Sequence, residues 1–325
     1  MIIPVGALPE HNPLLEIDLS FSAYLSARTR SFKEHVLDGK LDYAFDADFS
    51  LRQKINGMPG WAKIHKKLVN TDIPNKYKSV FKSSSAASPL LYPNAFDAAL
   101  ACAAHLKMTA PAVYVRNIPD KLEIYSMGTV NAEECVVITS ALYEACNKEE
   151  LTFLIGRECG HIQNNHSAYT LAAAYFDKSG NDDERVVVSV KPIEAAFSTW
   201  LDFSTVTADR AGIICLDAPL NFLEIFNSLY SKGLILTRKN SEAEYGEELD
   251  TDKLNSKSAV LRKTPSRSIA IEKEFTVAER RALAGLEFLN CDALFSWRAD
   301  LDASGVHTIS KQALEIRCDA ILFRD

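Results

Sequence analysis

Glu149-Glu150-Leu151-Thr152-Phe153-Leu154-Ile155-Gly156-Arg157-Glu158-Cys159-Gly160-His161-Ile162-Gln163-Asn164-Asn165-His166 is the stretch on which the reading of this chain turns. At its centre stands RExxH, an HExxH motif whose first histidine is replaced. In an intact HExxH helix, two histidines one turn apart hold zinc from the same face, and the glutamate between them activates the metal-bound water. Here Arg157 occupies the first ligand position, Glu158 the general-base position and His161 the second ligand position. The run predicts a helix over about 148–168. His166 falls about 140° further round that helix than His161, so the two cannot both face one metal squarely, and it reads as a packing or capping residue.

The flanking sequence makes the motif specific. The run from Glu149 to His166 resembles EELxFVIGHELGHIxxxH of the HtpX-like zinc metallopeptidases, the gluzincin family that includes the CAAX prenyl proteases. Leu91-Tyr92-Pro93-Asn94-Ala95-Phe96 through Pro111-Ala112-Val113-Tyr114-Val115 resembles that family's helix followed by a PxVYV strand. Leu122-Glu123-Ile124-Tyr125-Ser126-Met127-Gly128 is similar to its LNAYTxG edge strand, and Val136 to Leu142 to its IVLTSGL segment. Trp200, followed by Thr205-Val206-Thr207-Ala208-Asp209-Arg210-Ala211-Gly212, resembles WxRxxELTADRAG. The resemblance implies an α+β fold, mainly helical and gluzincin-like, with a small antiparallel or mixed sheet whose edge at 122–128 would carry an extended polypeptide.

The same resemblance implies a third zinc ligand at the position filled by Thr205, a residue type that zinc sites do not use. Asp209 matches a position whose usual work is to orient a ligand histidine. Asp202 and Asp209 lie one helical turn to either side of Thr205. Arg280 stands where the family carries an arginine, but no His-Pro pair precedes it. A guanidinium about 4 Å from a dication repels it by roughly 8 kcal/mol at an effective dielectric of about 20, against the 10 to 16 kcal/mol, in order of magnitude, of a complete zinc site. The expectation is therefore a degenerate centre with no cofactor, His161 kept as a structural histidine hydrogen-bonded to a carboxylate, and Arg157 bridging Glu158 and Asp209. Such a chain would bind a polypeptide or protein partner without cutting it. The alternative is a zinc-dependent endopeptidase in which Asp202, Asp209 or a residue not marked by the motifs replaces the missing ligands, His161 remains one and Glu158 is the base.

Composition narrows the function classes. A net charge of -7 with no basic stripe argues against nucleic-acid binding. The seven cysteines contain no CxxC pair and sit in apolar or helical contexts, which predicts buried thiols. No apolar run reaches membrane-spanning length and Met1 to Pro9 lacks a basic n-region, so the cytoplasm is the expected compartment.

The chain is expected to divide into an N-terminal helical region, 1–82, and a peptidase-like domain, 90–325, joined by a Ser-rich linker from Lys82 to Pro89. Phe21, Leu25, Arg28, Phe32 and Val36 predict an amphipathic helix closed by Gly39, and Trp61, Ile64 and Leu68 predict another. Strands are expected near 112–116, 122–128 and 135–139. Helices should carry Trp200 to Ile214, the segment after Pro219 to near Gly233, the segment opened by the Thr276/Glu279 capping box, and Ser310 to Phe323. Residues 242–252, with six carboxylates and no base, and the Ser- and Lys/Arg-rich 253–267 together read as a solvated loop, whose acidic part, 242–252, favours basic partners.

Overall fold

A computed structural model describes residues 33–129, 132–178, 184–235 and 248–323. The helices are α1 (Asp46–Asn56), α2 (Trp61–Lys67), α3 (Ile73–Ser83), α4 (Pro93–His105), α5 (Ser140–Ala145), α6 (Lys148–Gln163) and α7 (Ser167–Lys178). They continue as α8 (Glu184–Cys215), α9 (Phe222–Ser231), α10 (Thr251–Lys263), α11 (Val277–Phe288), α12 (Asp292–Trp297) and α13 (Lys311–Phe323). The strands are β1 (Val36–Leu37), β2 (Lys40–Leu41), β3 (Ser84–Ala86), β4 (Ala112–Arg116), β5 (Ile124–Thr129) and β6 (Ala132–Thr139). This is the mainly helical α+β fold expected from the sequence. Its four-stranded sheet is mixed, in the order β3-β4-β6-β5, with β4 and β6 parallel and the other pairs antiparallel.

The RExxH helix α6 lies at the centre. Its N-terminus is fixed by a reciprocal capping box, Glu150 N–H to Asn147 Oδ1 at 2.9 Å and Asn147 N–H to Glu150 Oε2 at 2.8 Å. It is buried on nearly every side, between α4 and α8. Small residues make the approach to α8 possible. A Cβ at Gly160 would stand 2.5 Å from Ala211 Cβ, and one at Gly156 would stand 2.8 Å from Cys215 Cβ, so the helix backbones meet more closely than any larger residue allows. That closeness brings the Arg157 side of α6 against the Asp209 side of α8.

Val113, Val115, Val136 and Ile138 face the main core, while Tyr114, Met127, Cys135 and Val137 face Val80 of α3 on the other side of the sheet. β5 is one edge strand. Trp61, Tyr169, Phe197 and Trp200 form a second cluster where α2 meets α7 and α8. No described helix is long and apolar enough to cross a membrane. All seven cysteines are buried and free.

Four expectations are corrected. Most of the helix expected from Phe21 to Gly39 lies outside the described residues, which begin at residue 33, but its end is a hairpin. Leu37 pairs with Lys40 around Asp38 and Gly39, at φ 52° and 78°, the two positive values of a type I′ turn. The Ser-rich linker is instead the end of α3 and the strand β3, whose Ser85 pairs with Val115. The RExxH helix stops at Gln163, five residues early, because Asn165 turns left-handed at φ 57° and α7 starts at Ser167. The basic segment after 252 is the helix α10, capped by the Asp250 side chain and seated through buried Leu254, Ser258 and Leu261. Residues 242–247 of the acidic stretch lie outside the described residues.

Candidate functional site

Arg157 is buried, and its guanidinium is committed. Nε donates to Asp209 Oδ1 at 2.8 Å. Arg281 of α11 grips the same carboxylate from the other side, Nε to Oδ2 and Nη2 to Oδ1, each at 2.9 Å. Both oxygens of Asp209, itself 4% exposed, are therefore occupied by charge-assisted bonds from two arginines.

Glu158 points to the sheet. Its carboxylate accepts from the hydroxyl and the backbone N–H of Ser126 on β5, while the Arg157 charge acts on it without a hydrogen bond between them. Burial pushes the Glu158 carboxyl above its ordinary value, and Arg157 and Ser126 only partly oppose that shift. The expected bridge by Arg157 across both acids is thus half present: Asp209 is bonded, and the donor to Glu158 is Ser126. Two guanidinium groups and two carboxylates make this cluster neutral when all are ionised.

His161 meets His166, Nδ1 to Nδ1 at 2.8 Å. His166, fully buried, has its Nε2 3.1 Å from Asp48 Oδ2, off the line of a good hydrogen bond. Asp48 of α1 also accepts from Trp200 Nε1 at 2.7 Å, Thr207 Oγ1 at 2.6 Å and Arg52 Nε at 3.1 Å. Burial alone would raise the Asp48 carboxyl, but His166, Arg52 and Thr207 overcome it and hold it far below the usual range. An ionised Asp48 can only accept, which favours the His166 tautomer protonated on Nε2; His166 Nδ1 then accepts from His161, whose Nε2 keeps a lone pair. Burial, His166 and Arg157 push His161 well below its ordinary value, so it is neutral. The expected carboxylate partner of His161 is corrected to His166, with Asp48 one step behind, and His166 is more than a packing residue.

His161, Asp202, Thr205, Arg280, Arg281 and Phe323 line a cleft of about 440 Å³. Thr205 Oγ1 donates to the Asp202 carbonyl at 2.7 Å, as an ordinary helical hydroxyl does. Asp202 is exposed at the lip. Arg280 donates to the carbonyls of Phe275 and Ile321, each at 3.3 Å. Among the described residues β5 does not line this cleft, and Ser126 of the edge segment meets the motif at Glu158.

The residues present do not fit zinc. Among the described residues no group of three His, Cys, Asp or Glu side chains is placed to hold a metal ion. Asp209 has no oxygen to spare, and the first ligand position carries a cation. Sequence reasoning missed Arg281, although it adjoins Arg280, and missed Asp48, which no local motif marks.

Compared with known proteins, residues 96–179, from α4 through the end of α7, match the family model described as peptidase family M48. The matched stretch covers the RExxH helix, the sheet's inner strands and β5. No curated protein and no solved structure matches the chain.

Proposed function

We propose that this chain is a metallopeptidase-fold protein whose zinc centre is degenerate and which binds a polypeptide without hydrolysing it. The observation that supports the reading is the Arg157–Asp209–Arg281 cluster, in which the arginine at the first ligand position of the motif is tied to an aspartate already held by a second arginine. Thr205 agrees with it, since its hydroxyl is turned back onto its own helix. An active endopeptidase would need Asp209 or Asp202 as a ligand; the first is bound twice over and the second sits at the lip.

For the polypeptide, the edge of β5 offers strand addition, in which backbone bonds supply affinity and no metal is needed. Ile124 lies two residues from Ser126, so its backbone faces the same side of the strand. Glu248, Asp250 and Asp252, on the far side of the undescribed acidic stretch, add attraction for basic segments that weakens with salt.

The test is a panel of extended basic peptides incubated with the protein, with and without added zinc, followed by both binding and cleavage. Capture without cleavage, reduced by Ile124→Pro and untouched by Leu201→Asp, a change at another residue that lines the cleft, supports strand addition. Metal-dependent cleavage that is abolished by Glu158→Gln contradicts the proposal. Capture lost in Leu201→Asp and kept in Ile124→Pro would move the bound polypeptide from the edge to the cleft.

A further inference from the structure

The net charge of -7 hides a local excess of the opposite sign. From Trp61 to Ser83 the chain carries six lysines, Lys63, Lys66, Lys67, Lys76, Lys78 and Lys82, against one acid, Asp72. The expected absence of a basic stripe is corrected here. The segment is one continuous helical rod, α2 running through the π-helical turn Leu68–Asp72 into α3. Buried Trp61, Leu68, Ile73 and Val80 seat it, and all six lysines are exposed. Lys63, Lys66, Lys78 and Lys82 make no ion pair among the described residues, whereas Lys232 and Lys253 elsewhere are paired with Glu150 and Glu279. Like charges held together without counter-ions attract an anionic surface.

Apolar side chains stand beside these charges. Lys76 of α3 rests on the Tyr125 ring of β5, and Phe81 meets the Tyr114 ring of β4, so Phe81 lies on the flank of α3 turned toward the opposite sheet edge, β3. Phe81 is 61% exposed. β3 leads into a tight turn in which the N–H groups of Ser88 and Leu91 donate to each other's carbonyls, at 2.7 and 3.2 Å, and Leu90 at its tip is 97% exposed. Leu100 of α4, also exposed, lines an apolar groove with Ala86 and Ala87 along the same edge, and the exposed acid Asp97 lies one turn away from it. A protruding leucine cannot stack on a base as an aromatic ring does, and a folded partner would need a hole matched to it. A bilayer yields around it, while lysines lay their stems along the apolar surface and keep their ammonium groups among the headgroup phosphates.

We propose that this face docks the protein on the surface of a bilayer rich in anionic lipid, with Leu90 and Phe81 entering the interface and Lys78 and Lys82 at the headgroups. The lysines of α2 add attraction at longer range. The inference does not rest on the polypeptide-binding reading, since β3 and β5 are opposite edges of the sheet.

The experiment sediments the full chain with vesicles of phosphatidylcholine alone and with vesicles of equal parts phosphatidylcholine and phosphatidylserine. Saturable binding is expected to the second only, weakening as salt rises. Lys78→Gln with Lys82→Gln should weaken it about twentyfold, at roughly fivefold per lysine. Leu90→Ser, at an exposed tip, should weaken it about tenfold. Lys263→Gln on α10, an exposed lysine away from this face, should change nothing. Equal binding to both vesicles, no binding, or binding indifferent to the lysine pair or to Leu90→Ser overturns the proposal. So does capture of an oligonucleotide, of polyglutamate or of a second copy of the chain that depends on the lysines and not on Leu90, since the surface would then serve a polyanion or a dimer and not a bilayer.

Discussion

Arg157 and Asp209 are 52 positions apart and meet at 2.8 Å, so the arginine of RExxH is bonded to the aspartate of the ADRAG segment. Arg281 completes the arrangement from a third helix.

Arg157→Ala should destabilise by about 2 kcal/mol, the worth of a charged hydrogen bond. The loss stays below the roughly 3–5 kcal/mol of a fully stranded buried charge because Arg281 still holds Asp209. Adding Glu158→Gln should recover part of it, since Glu158 also loses a favourable neighbouring charge. Urea midpoints of the single and double variants measure the coupling; an Arg157→Ala protein as stable as the parent would show that the cluster contributes nothing.

The pH dependence has two opposing parts. The Glu158 carboxyl is raised above 4.5, so its contribution is present below that value and is lost as pH rises. His161 and His166 are both lowered from 6.5, so theirs is present above 6.5 and is lost as pH falls. Glu158→Gln should therefore gain stability over the parent most at mildly alkaline pH, whereas His161→Gln should lose less than the parent on acidification. Parallel melting curves for all three proteins across that range would contradict both assignments.

Asp48→Asn should cost about 3 kcal/mol or more, because it removes an anion accepting from Trp200, Thr207 and Arg52 in a fully buried position. Since the folded carboxyl is depressed, its stabilisation holds above 3.8 and is lost as pH falls toward the folded value. The parent should therefore lose stability in acid more steeply than the variant. Near-neutral denaturation together with acid titration reads both effects.

Gly160→Val should cost about 1–3 kcal/mol by forcing α6 away from Ala211, and should weaken the Arg157–Asp209 bond with it. A structure of the variant with that bond intact would separate helix spacing from the cluster.

The sequence carried three of the four strands of the mixed sheet, the RExxH helix, the Thr276 capping box and the pairing of α6 with the ADRAG helix, because each has a local pattern or a motif partner. Where local signals competed, the weaker was read. Asp38-Gly39 is a hairpin dipeptide, but the helical spacing leading to Val36 masked it. Leu254, Ser258 and Leu261 share a helix face, hidden in a segment that charge and serine content made look solvated. Asn164-Asn165 was available as the stop of α6. The Asp48 hub had no such signal: its partners at positions 52, 166, 200 and 207 come together only through packing of α1 on α7 and α8.

The degenerate centre is tested most directly by the zinc content of the protein purified without chelator, measured with its melting temperature before and after chelator is added. The cluster of Arg157, Asp209 and Arg281 predicts far less than one zinc per chain and an unchanged melting temperature. One tightly held zinc per chain, removed only with loss of structure, would contradict it.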